Sequence, residues 1–214
     1  LMSFTVTLVR HGNTDANNER WLQGQIDTDL NKNGRDQAKR CGKRLKDDPF
    51  SKVYCSDLNR CKQTAAAIMA HHPGLSIAYD EQLRERDFGK LSGKPLKYLT
   101  SESTRQHLSV DEFITQEGGE SVEVFRRRII TAYEKLIAEA QEQQLSSILV
   151  VTHGGPLKYL TSYWIENEYK LDPLIVKPMA HGNTAITKIH NQMIIQFNST
   201  DHLLNQNQPP PPAV

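Results

Sequence analysis

Two short polar motifs, each at the end of an apolar run, carry the residue types that chemistry needs. Arg10 and His11 follow alternating apolar and β-branched residues over 4–9, and His153 follows a continuous apolar run over 147–151. The first pattern predicts a buried or half-buried strand and the second a strand covered on both faces. In open α/β sheets, ligands bind outside the carboxyl ends of the strands, so we expect both histidines at that edge.

Two further groups follow the other apolar runs of the first half of the chain. Ser56, Asp57 and Arg60 come after a short β-rich segment at 52–55, and Glu85 comes after another at 75–79. In a parallel sheet all four strand ends lie along one edge. Arginines, histidines and helix N-termini would form a pocket for a dianion, most simply a phosphoryl group. An ionised Glu85 would repel that group, so we expect it to carry a proton in the substrate complex and pass it to a leaving oxygen.

The elements that position these residues follow the order β-α-β-α-β-cap-α-β-α-β-β. This order predicts an α/β fold, with a single three-layer α/β/α domain, a mostly parallel central sheet and a small cap insertion. Asn31 is expected to open one helix, Ser56 and Asp57 to supply N-cap chemistry for the next, and residues 118–121 to start the longest. Residues 93–117 are polar and weakly helical and form the expected cap. The domain is predicted over 1–204, and 205–214 is predicted to be a disordered Pro-rich tail.

Composition and charge narrow the class of protein. The formal net charge of 214 residues is +1, which argues against a surface built for nucleic acid or an anionic membrane. The absence of an 18-residue apolar run or a secretory signal pattern leads us to expect a cytoplasmic protein with no membrane partner. Three cysteines without a CxxC pair favour reduced thiols over disulfides or a zinc site.

Taken together, the motifs resemble the histidine phosphatase family, also called phosphoglycerate mutase-like, over nearly the whole chain to about Leu204. The motifs that carry the resemblance, in chain order, are Arg10-His11-Gly12, Asn17, Leu22-Gln23-Gly24-Gln25 with Asp27, Ser56-Asp57-Leu58 with Arg60, Gln63-Thr64, Leu83-Arg84-Glu85-Arg86 with Phe88-Gly89, Gly118-Gly119-Glu120-Ser121, Thr152-His153-Gly154-Gly155, and Asn183-Thr184.

The resemblance implies a transient phosphohistidine on His11, with Glu85 as the proton donor. The other residues that it places at the substrate are Arg10, Arg60, His153 and Asn17 for the phosphate, with Gln23, Gly24 and Gly154 as further binding residues. A neutral imidazole is a good nucleophile when its other nitrogen donates to an acceptor that fixes the tautomer. His153 is expected to be cationic once phosphate is bound. No metal and no cofactor are required.

Within the family, the choice lies between hydrolysing the phosphohistidine and returning the phosphoryl group to a substrate, as a mutase does. Cofactor-dependent mutases carry a longer insertion with an adjacent arginine pair, whereas here 28 residues separate Gly89 from Gly118 and include one arginine, Arg105. This favours a phosphatase for small phosphorylated metabolites, sugar phosphates or phosphoglycerates. The alternatives are phosphoglycerate mutase and fructose-2,6-bisphosphatase-like activity.

Two readings from other classes stay open. His11, His153 and Glu85 could form a two-histidine, one-carboxylate metal site, although two neighbouring arginines would oppose a metal ion. A phosphate-binding regulatory module without catalysis ranks lower, because every residue that the chemistry needs is present. The basic residues of the cap would meet a second anionic group of the substrate or form a solvated basic loop: Lys90, Lys94, Lys97 and Arg105. The remaining histidines are expected to be ordinary surface or loop residues: His71, His72, His107, His181, His190 and His202.

Overall fold

The computed structural model describes residues 3–204, and these residues build a six-stranded mixed sheet. The strands are β1 Thr5–Arg10, β2 Lys52–Cys55, β3 Ile77–Tyr79, β4 Ser147–Thr152, β5 Ile186–His190 and β6 Met193–Ser199, in the order β3-β2-β4-β1-β5-β6. The pairs β3–β2, β2–β4 and β4–β1 are parallel, while β5 runs antiparallel to β1 and β6 antiparallel to β5. The predicted α/β fold with a mostly parallel sheet is confirmed.

Within residues 3–204, seven α-helices connect the strands. They are α1 Asp15–Glu19, α2 Lys32–Arg44, α3 Asn59–Met69, α4 Leu96–Arg105, α5 Val110–Gln116, α6 Val122–Glu142 and α7 Gly154–Glu166, with short 3₁₀ turns at Glu81–Leu83, Gly89–Leu91 and Asp201–Leu203. Thr14, Asn31 and Ser121 cap α1, α2 and α6 through their side-chain oxygens, which satisfy backbone N–H groups of the first turn. The predicted helix starts at Asn31 and after residue 121 are therefore confirmed.

The alternation of side chains along the strands produces two apolar layers. On one face, Val6, Leu8 and Val150 pack with residues of α6 and α7. On the other face, Val9 and Val151 pack with residues of α2 and α3. Successive strand residues point to opposite faces, so both faces of the central strands are covered by helices. This gives the three-layer arrangement.

One helix start differs from the prediction. The N-cap of α3 is Leu58, which makes no side-chain capping bond, and Ser56 Oγ lies 3.5 Å from the Leu58 nitrogen. The Ser56 hydroxyl instead lies 2.8 Å from His153 Nε2, and Asp57 forms a two-point ion pair with Arg84. The expected N-cap role of Ser56 and Asp57 is wrong because partners from distant parts of the chain take both side chains.

The cap over residues 93–117 is also more ordered than predicted. It contains two full helices, α4 and α5, and Ser109 forms a capping box with Glu112 at the start of α5. Phe113 and Ile114 of α5 bury themselves against Leu22 and Leu91 in a small cluster of their own. Each helix is too short to show a clear apolar stripe in the sequence, so tertiary packing supplies the stability that local propensity lacks.

Two predictions concern the C-terminal end of the domain. The predicted Pro-rich tail at 205–214 lies outside the described residues, and the domain boundary at 204 stays a prediction. Within residues 3–204, no helix is both long and apolar enough to cross a membrane.

Candidate active site

His11 lies at the end of β1, where it is buried and held in one tautomer. Its Nδ1 is 2.7 Å from the carbonyl oxygen of Gly12. A carbonyl only accepts, so Nδ1 carries the hydrogen and Nε2 keeps its lone pair. Burial lowers the pKa of His11 well below its ordinary value, and the charges of Arg10 and Arg60 lower it further. The ring is therefore a neutral imidazole with one nitrogen ready to attack an electrophile.

His153 lies beside His11 at the start of α7. The two ring centroids are 5.2 Å apart in an edge-to-face arrangement. His153 Nε2 is 2.8 Å from Ser56 Oγ and 3.4 Å from Cys61 Sγ. Burial, followed by the charge of Arg60, lowers the pKa of His153 well below its ordinary value, so it is neutral in the ligand-free pocket. A bound dianion would favour its protonated form.

Arg60 lies in the first turn of α3, as expected, and its side chain is fully buried. Its Nη1 donates to the Ile26 carbonyl at 2.7 Å and to Thr28 Oγ1 at 3.2 Å, and its Nη2 donates to the Gly24 carbonyl at 2.7 Å. Its Nε is buried and has no hydrogen-bond partner among residues 3–204. The loop over 24–28 thus orients the guanidinium and leaves Nε and one hydrogen of Nη2 for a ligand.

Arg10, the residue before His11, shows the same pattern. Its Nη1 donates to the His181 carbonyl, while its Nε is buried without a partner in the described part of the chain. Burial lowers the pKa of both arginines, although an arginine keeps its charge in a protein. Buried donors without partners are rare in native structures. Two of them on two cations beside His11 call for an anionic ligand.

Glu85 reaches the same edge from the loop after β3. Its Oε1 accepts the backbone N–H of Arg86 at 2.8 Å, and its Oε2 accepts the N–H of Gly155 at 3.0 Å. A Cβ on Gly155 would lie 2.1 Å from Glu85 Oε1, so only glycine leaves room for this carboxylate. Within residues 3–204, no lysine, arginine or histidine forms an ion pair with Glu85. The carboxylate lies against the N-terminus of α7, next to Gly154.

We call His11, Arg10, Arg60, Glu85 and His153 the strand-end pocket. The structure brings all five together from β1, α3, the loop after β3 and the start of α7. Their proximity is visible in their mutual influence, since the charge of Glu85 acts on both arginines and both arginines act on both histidines. The arrangement offers a neutral nucleophile, two oriented cations and a carboxyl group.

Asn17 is oriented by hydrogen bonds to its amide oxygen. That Oδ1 accepts the N–H of Thr14 at 3.1 Å and Nδ2 of Asn183 at 3.2 Å. Its Nδ2 group has no partner among the described residues, so it is a donor that a ligand could use. The phosphate-binding role of Asn17 stays a prediction.

Gln23 and Gly24 contact other protein groups. Gln23 Oε1 accepts the hydroxyls of Thr14 and Thr28 at 2.9 and 2.7 Å. The Gly24 carbonyl holds Arg60, and a positive φ of 52° at Gly24 allows that turn. Both residues shape the pocket through Arg60, and direct substrate contact by either one stays a prediction.

Two features of the site were missed by the sequence analysis. His181 is buried, not a surface residue, because its Nε2 pairs with Thr187 Oγ1 at 2.7 Å and its carbonyl holds Arg10. Arg128 of α6 binds the backbone around Glu85. Nothing in the run Arg126-Arg127-Arg128 marks the third arginine as different, so only its contacts identify it.

The metal-site reading finds no support in the geometry. Among residues 3–204, no group of three or more His, Cys, Asp or Glu side chains is placed to hold a metal ion. Both oxygens of Glu85 accept backbone N–H groups, and His11 Nδ1 is bound to a carbonyl. The donors of the strand-end pocket suit an anion instead.

Comparison with known proteins agrees with this geometry. The model of the histidine phosphatase superfamily (branch 1) matches residues 6–193. The chain belongs to this superfamily. A curated relative, the probable phosphatase C1687.21 of Schizosaccharomyces pombe, is 30% identical over 193 residues, covering 86% of this chain and 85% of the relative.

Two further matches are a phosphatase relative and a solved mutase structure. The fructose-2,6-bisphosphatase TIGAR of Xenopus tropicalis is 40% identical over 160 residues, covering 71% of this chain and 58% of that protein. The crystal structure of phosphoglycerate mutase from Bacillus anthracis superposes with a TM-score of 0.81 over 94% of this chain and 96% of that one, at 24% identity. The mutase shares the fold, while the phosphatase relatives support a phosphatase hydrolase.

Proposed function

We propose that this protein is a phosphomonoesterase that hydrolyses small phosphorylated metabolites through a phosphohistidine on His11. The observation that carries the proposal is the pair of buried Nε groups on Arg10 and Arg60, which lack partners among residues 3–204, on two cations whose charges act on a neutral histidine. Fixed cationic donors of this kind stabilise the charge that builds on the phosphoryl oxygens during transfer.

The reaction has two steps. In the first, His11 Nε2 forms a bond to phosphorus, the bond from phosphorus to the leaving oxygen breaks, and Glu85 gives its proton to that oxygen. In the second, a water molecule attacks the phosphohistidine and gives its proton to Glu85, and the N–P bond breaks to release inorganic phosphate and free His11. His153 becomes the cation that opposes the charge on the transferred group.

The cap favours hydrolysis over transfer to a second substrate. Its one arginine, Arg105, pairs with Glu102 of the same helix and is largely exposed. A mutase would need a grip on the substrate carboxylate, which this pair does not offer. The substrates that we propose are sugar phosphates or phosphoglycerates, and fructose-2,6-bisphosphatase-like activity is compatible with the TIGAR relative.

The cysteines bear on where we propose that the enzyme acts. Cys41, Cys55 and Cys61 are buried and free, and burial raises the pKa of Cys41 and Cys61 to about 12. Reduced, unreactive thiols suit the cytoplasm, where we place the enzyme. Neither nucleic acid nor a membrane is a partner in this proposal.

The proposal is tested by trapping the intermediate. Rapid-quench mass spectrometry with a good substrate should show a phosphoryl group on the peptide that contains His11. His11→Ala should abolish the adduct, and the exposed His71→Ala should keep it. An adduct that persists in His11→Ala would refute covalent catalysis by this residue.

Metal dependence is tested separately. We propose that catalysis needs no metal, so activity should survive exhaustive chelation with EDTA. Loss of activity that a single divalent metal restores would favour the metalloenzyme reading instead.

A further inference from the structure

Arg128 makes three hydrogen bonds to the backbone segment that carries Glu85. Its Nη1 donates to the carbonyls of Gln82 at 2.7 Å and Arg84 at 3.1 Å, and its Nη2 donates to the carbonyl of Glu85 at 3.1 Å. One side chain of α6 thus binds three backbone acceptors in four consecutive residues.

Glu120 closes this arrangement from the other side. Arg128 Nε donates to Glu120 Oε1 at 2.8 Å, and Nη2 donates to Oε2 at 2.9 Å. Glu120 Oε2 also accepts the backbone N–H of Asp87 at 2.8 Å. All five N–H groups of Arg128 are used, and the pair binds the backbone from residue 82 to residue 87.

The ion pair between Arg128 and Glu120 is largely buried, and its hydrogen bonds favour the charged form of Glu120. Only 13% of the Arg128 side chain and 17% of the Glu120 side chain are exposed. Burial opposes the charge on Glu120, but the hydrogen bonds from Arg128 lower the pKa of Glu120 below its ordinary value. A two-point pair in this setting restricts geometry more than an exposed pair does.

The position of Glu85 depends on this backbone. Residues 85–88 belong to neither a helix nor a strand, and the carboxylate of Glu85 is held by two backbone N–H groups, those of Arg86 and Gly155. The N–H of Arg86 lies on the backbone segment 82–87 that Arg128 and Glu120 bind, and the N–H of Gly155 lies on α7. A shift of the segment would therefore move the carboxylate away from the start of α7.

We infer that Arg128, together with Glu120, is a positioning residue that holds Glu85 where it can protonate the leaving oxygen. The inference rests on the proposed function, since it assumes that Glu85 is the general acid. A misplacement of about 1 Å in a catalytic group costs on the order of 100-fold in rate. A lysine has three N–H groups on a flexible stem and cannot bind three carbonyls and a carboxylate at once.

The test compares Arg128→Lys with its neighbour. Arg127→Lys is the matched control, because Arg127 is 70% exposed and pairs with Glu123, which is 80% exposed. Single-turnover release of the leaving group is measured with an alkyl phosphate and with p-nitrophenyl phosphate. In Arg128→Lys, the rate with the alkyl phosphate relative to the nitrophenyl ester should fall about 10-fold or more. In Arg127→Lys this ratio should stay at the wild-type value.

Two further variants make the result decisive. Glu120→Gln keeps the shape of the side chain and weakens the two-point contact, so it should lower the same ratio less than Arg128→Lys does. Glu85→Gln is measured in parallel. If Glu85→Gln lowers the ratio and neither Arg128→Lys nor Glu120→Gln does, the positioning role is refuted and the proposed function stands. If Glu85→Gln leaves the ratio unchanged, Glu85 is not the acid and this inference falls, whereas the phosphohistidine on His11 is judged separately by the trapping experiment.

Discussion

The strand-end pocket and the cap are built on opposite principles. In the pocket, His11, His153 and Arg60 are buried, and backbone carbonyls or neighbouring hydroxyls hold them in place. In the cap, α4 and α5 rest on a small separate apolar cluster, and Arg105 is 70% exposed. The pocket lies at the ends of the strands that carry the main core, whereas the cap packs on a cluster of its own.

One contact between the two regions lies at Leu22, and another is the ion pair between Arg86 and Asp111 of α5. Leu22 exchanges hydrogen bonds with the cap, since its N–H donates to the Lys94 carbonyl at 2.8 Å and its carbonyl accepts the Gly93 N–H at 2.7 Å. Two residues later, the Gly24 carbonyl holds Arg60. The groups proposed to act on phosphate are thus held by buried partners, whereas the cap, which contacts the segments beside Gly24 and Glu85, presents exposed side chains.

The largest effect should come from removing the proposed proton. Glu85→Gln keeps the shape of the side chain, so its cost should depend on how basic the leaving oxygen is. We expect a loss of about 100-fold or more on an alkyl phosphate and much less on p-nitrophenyl phosphate, because nitrophenolate leaves without help. Single-turnover release isolates the first step from later hydrolysis. An equal loss for both would pass the acid role to another group. Glu120 is a poor candidate for that role because it is bound to Arg128.

The next effect tests the oriented guanidinium. Arg60→Lys should lower kcat/KM by about 10- to 100-fold, the size of one lost charge-assisted hydrogen bond, since an ammonium cannot bind the loop and the phosphoryl group together. Steady-state kinetics with p-nitrophenyl phosphate measures it. Arg105→Lys in the cap serves as the control and should retain wild-type kinetics. Wild-type values in Arg60→Lys would place this arginine outside the reacting pocket.

A smaller effect is expected in the cap. Lys94 and Lys97 are exposed, and an exposed charge contributes roughly 0 to 1 kcal/mol, which is about fivefold at most. Replacing each by alanine should raise KM for a substrate with a second anionic group by about two- to fivefold and leave p-nitrophenyl phosphate unaffected. Lys135→Ala on α6 is the control. A large loss of kcat would mean that the cap takes part in catalysis, contrary to the difference between the two regions described above.

The smallest effect concerns protons on His11. Because its pKa is lowered well below 6.5, the ring should stay neutral in the free enzyme across the pH range in which an ordinary histidine titrates, around 6.5. The Cε1–H resonance of His11 in NMR should therefore not move in that range. A titration centred near 6.5 would contradict the buried, cation-flanked environment.

The same lowered pKa values predict the direction of stability with pH. Below about pH 6.5, His11, His153 and His181 bind protons in the unfolded chain but stay neutral in the folded protein, because their pKa values are lowered there. Burial lowers the pKa of His181 to about 4. The free energy of unfolding should therefore be highest above pH 6.5 and fall as the pH drops from 6.5 toward 4. Urea unfolding across this range measures it, and a flat profile would be the contrary result.

The residues that gather at the sheet edge can be predicted from the sequence. Strand periodicity and the order of the elements are visible in the sequence, and a parallel sheet brings the carboxyl ends of its strands to one side. These two facts are enough to place Arg10, His11, Glu85 and His153 together. Arg60 could be placed as well, because it follows a strand by a fixed number of residues at the start of a helix.

The hydrogen-bond partner of each polar group, by contrast, is set by the tertiary structure. Ser56 turns to His153, 97 residues away, instead of capping α3, and Arg128 reaches 43 residues back to the carbonyl of Glu85. Residue type limits what a side chain can donate or accept, but a bond over such separations exists only after the core has set the distance between two elements. For that reason the sequence indicated which groups could act on phosphate, while the fold left Nε of Arg10 and Arg60 free in the described chain to do so.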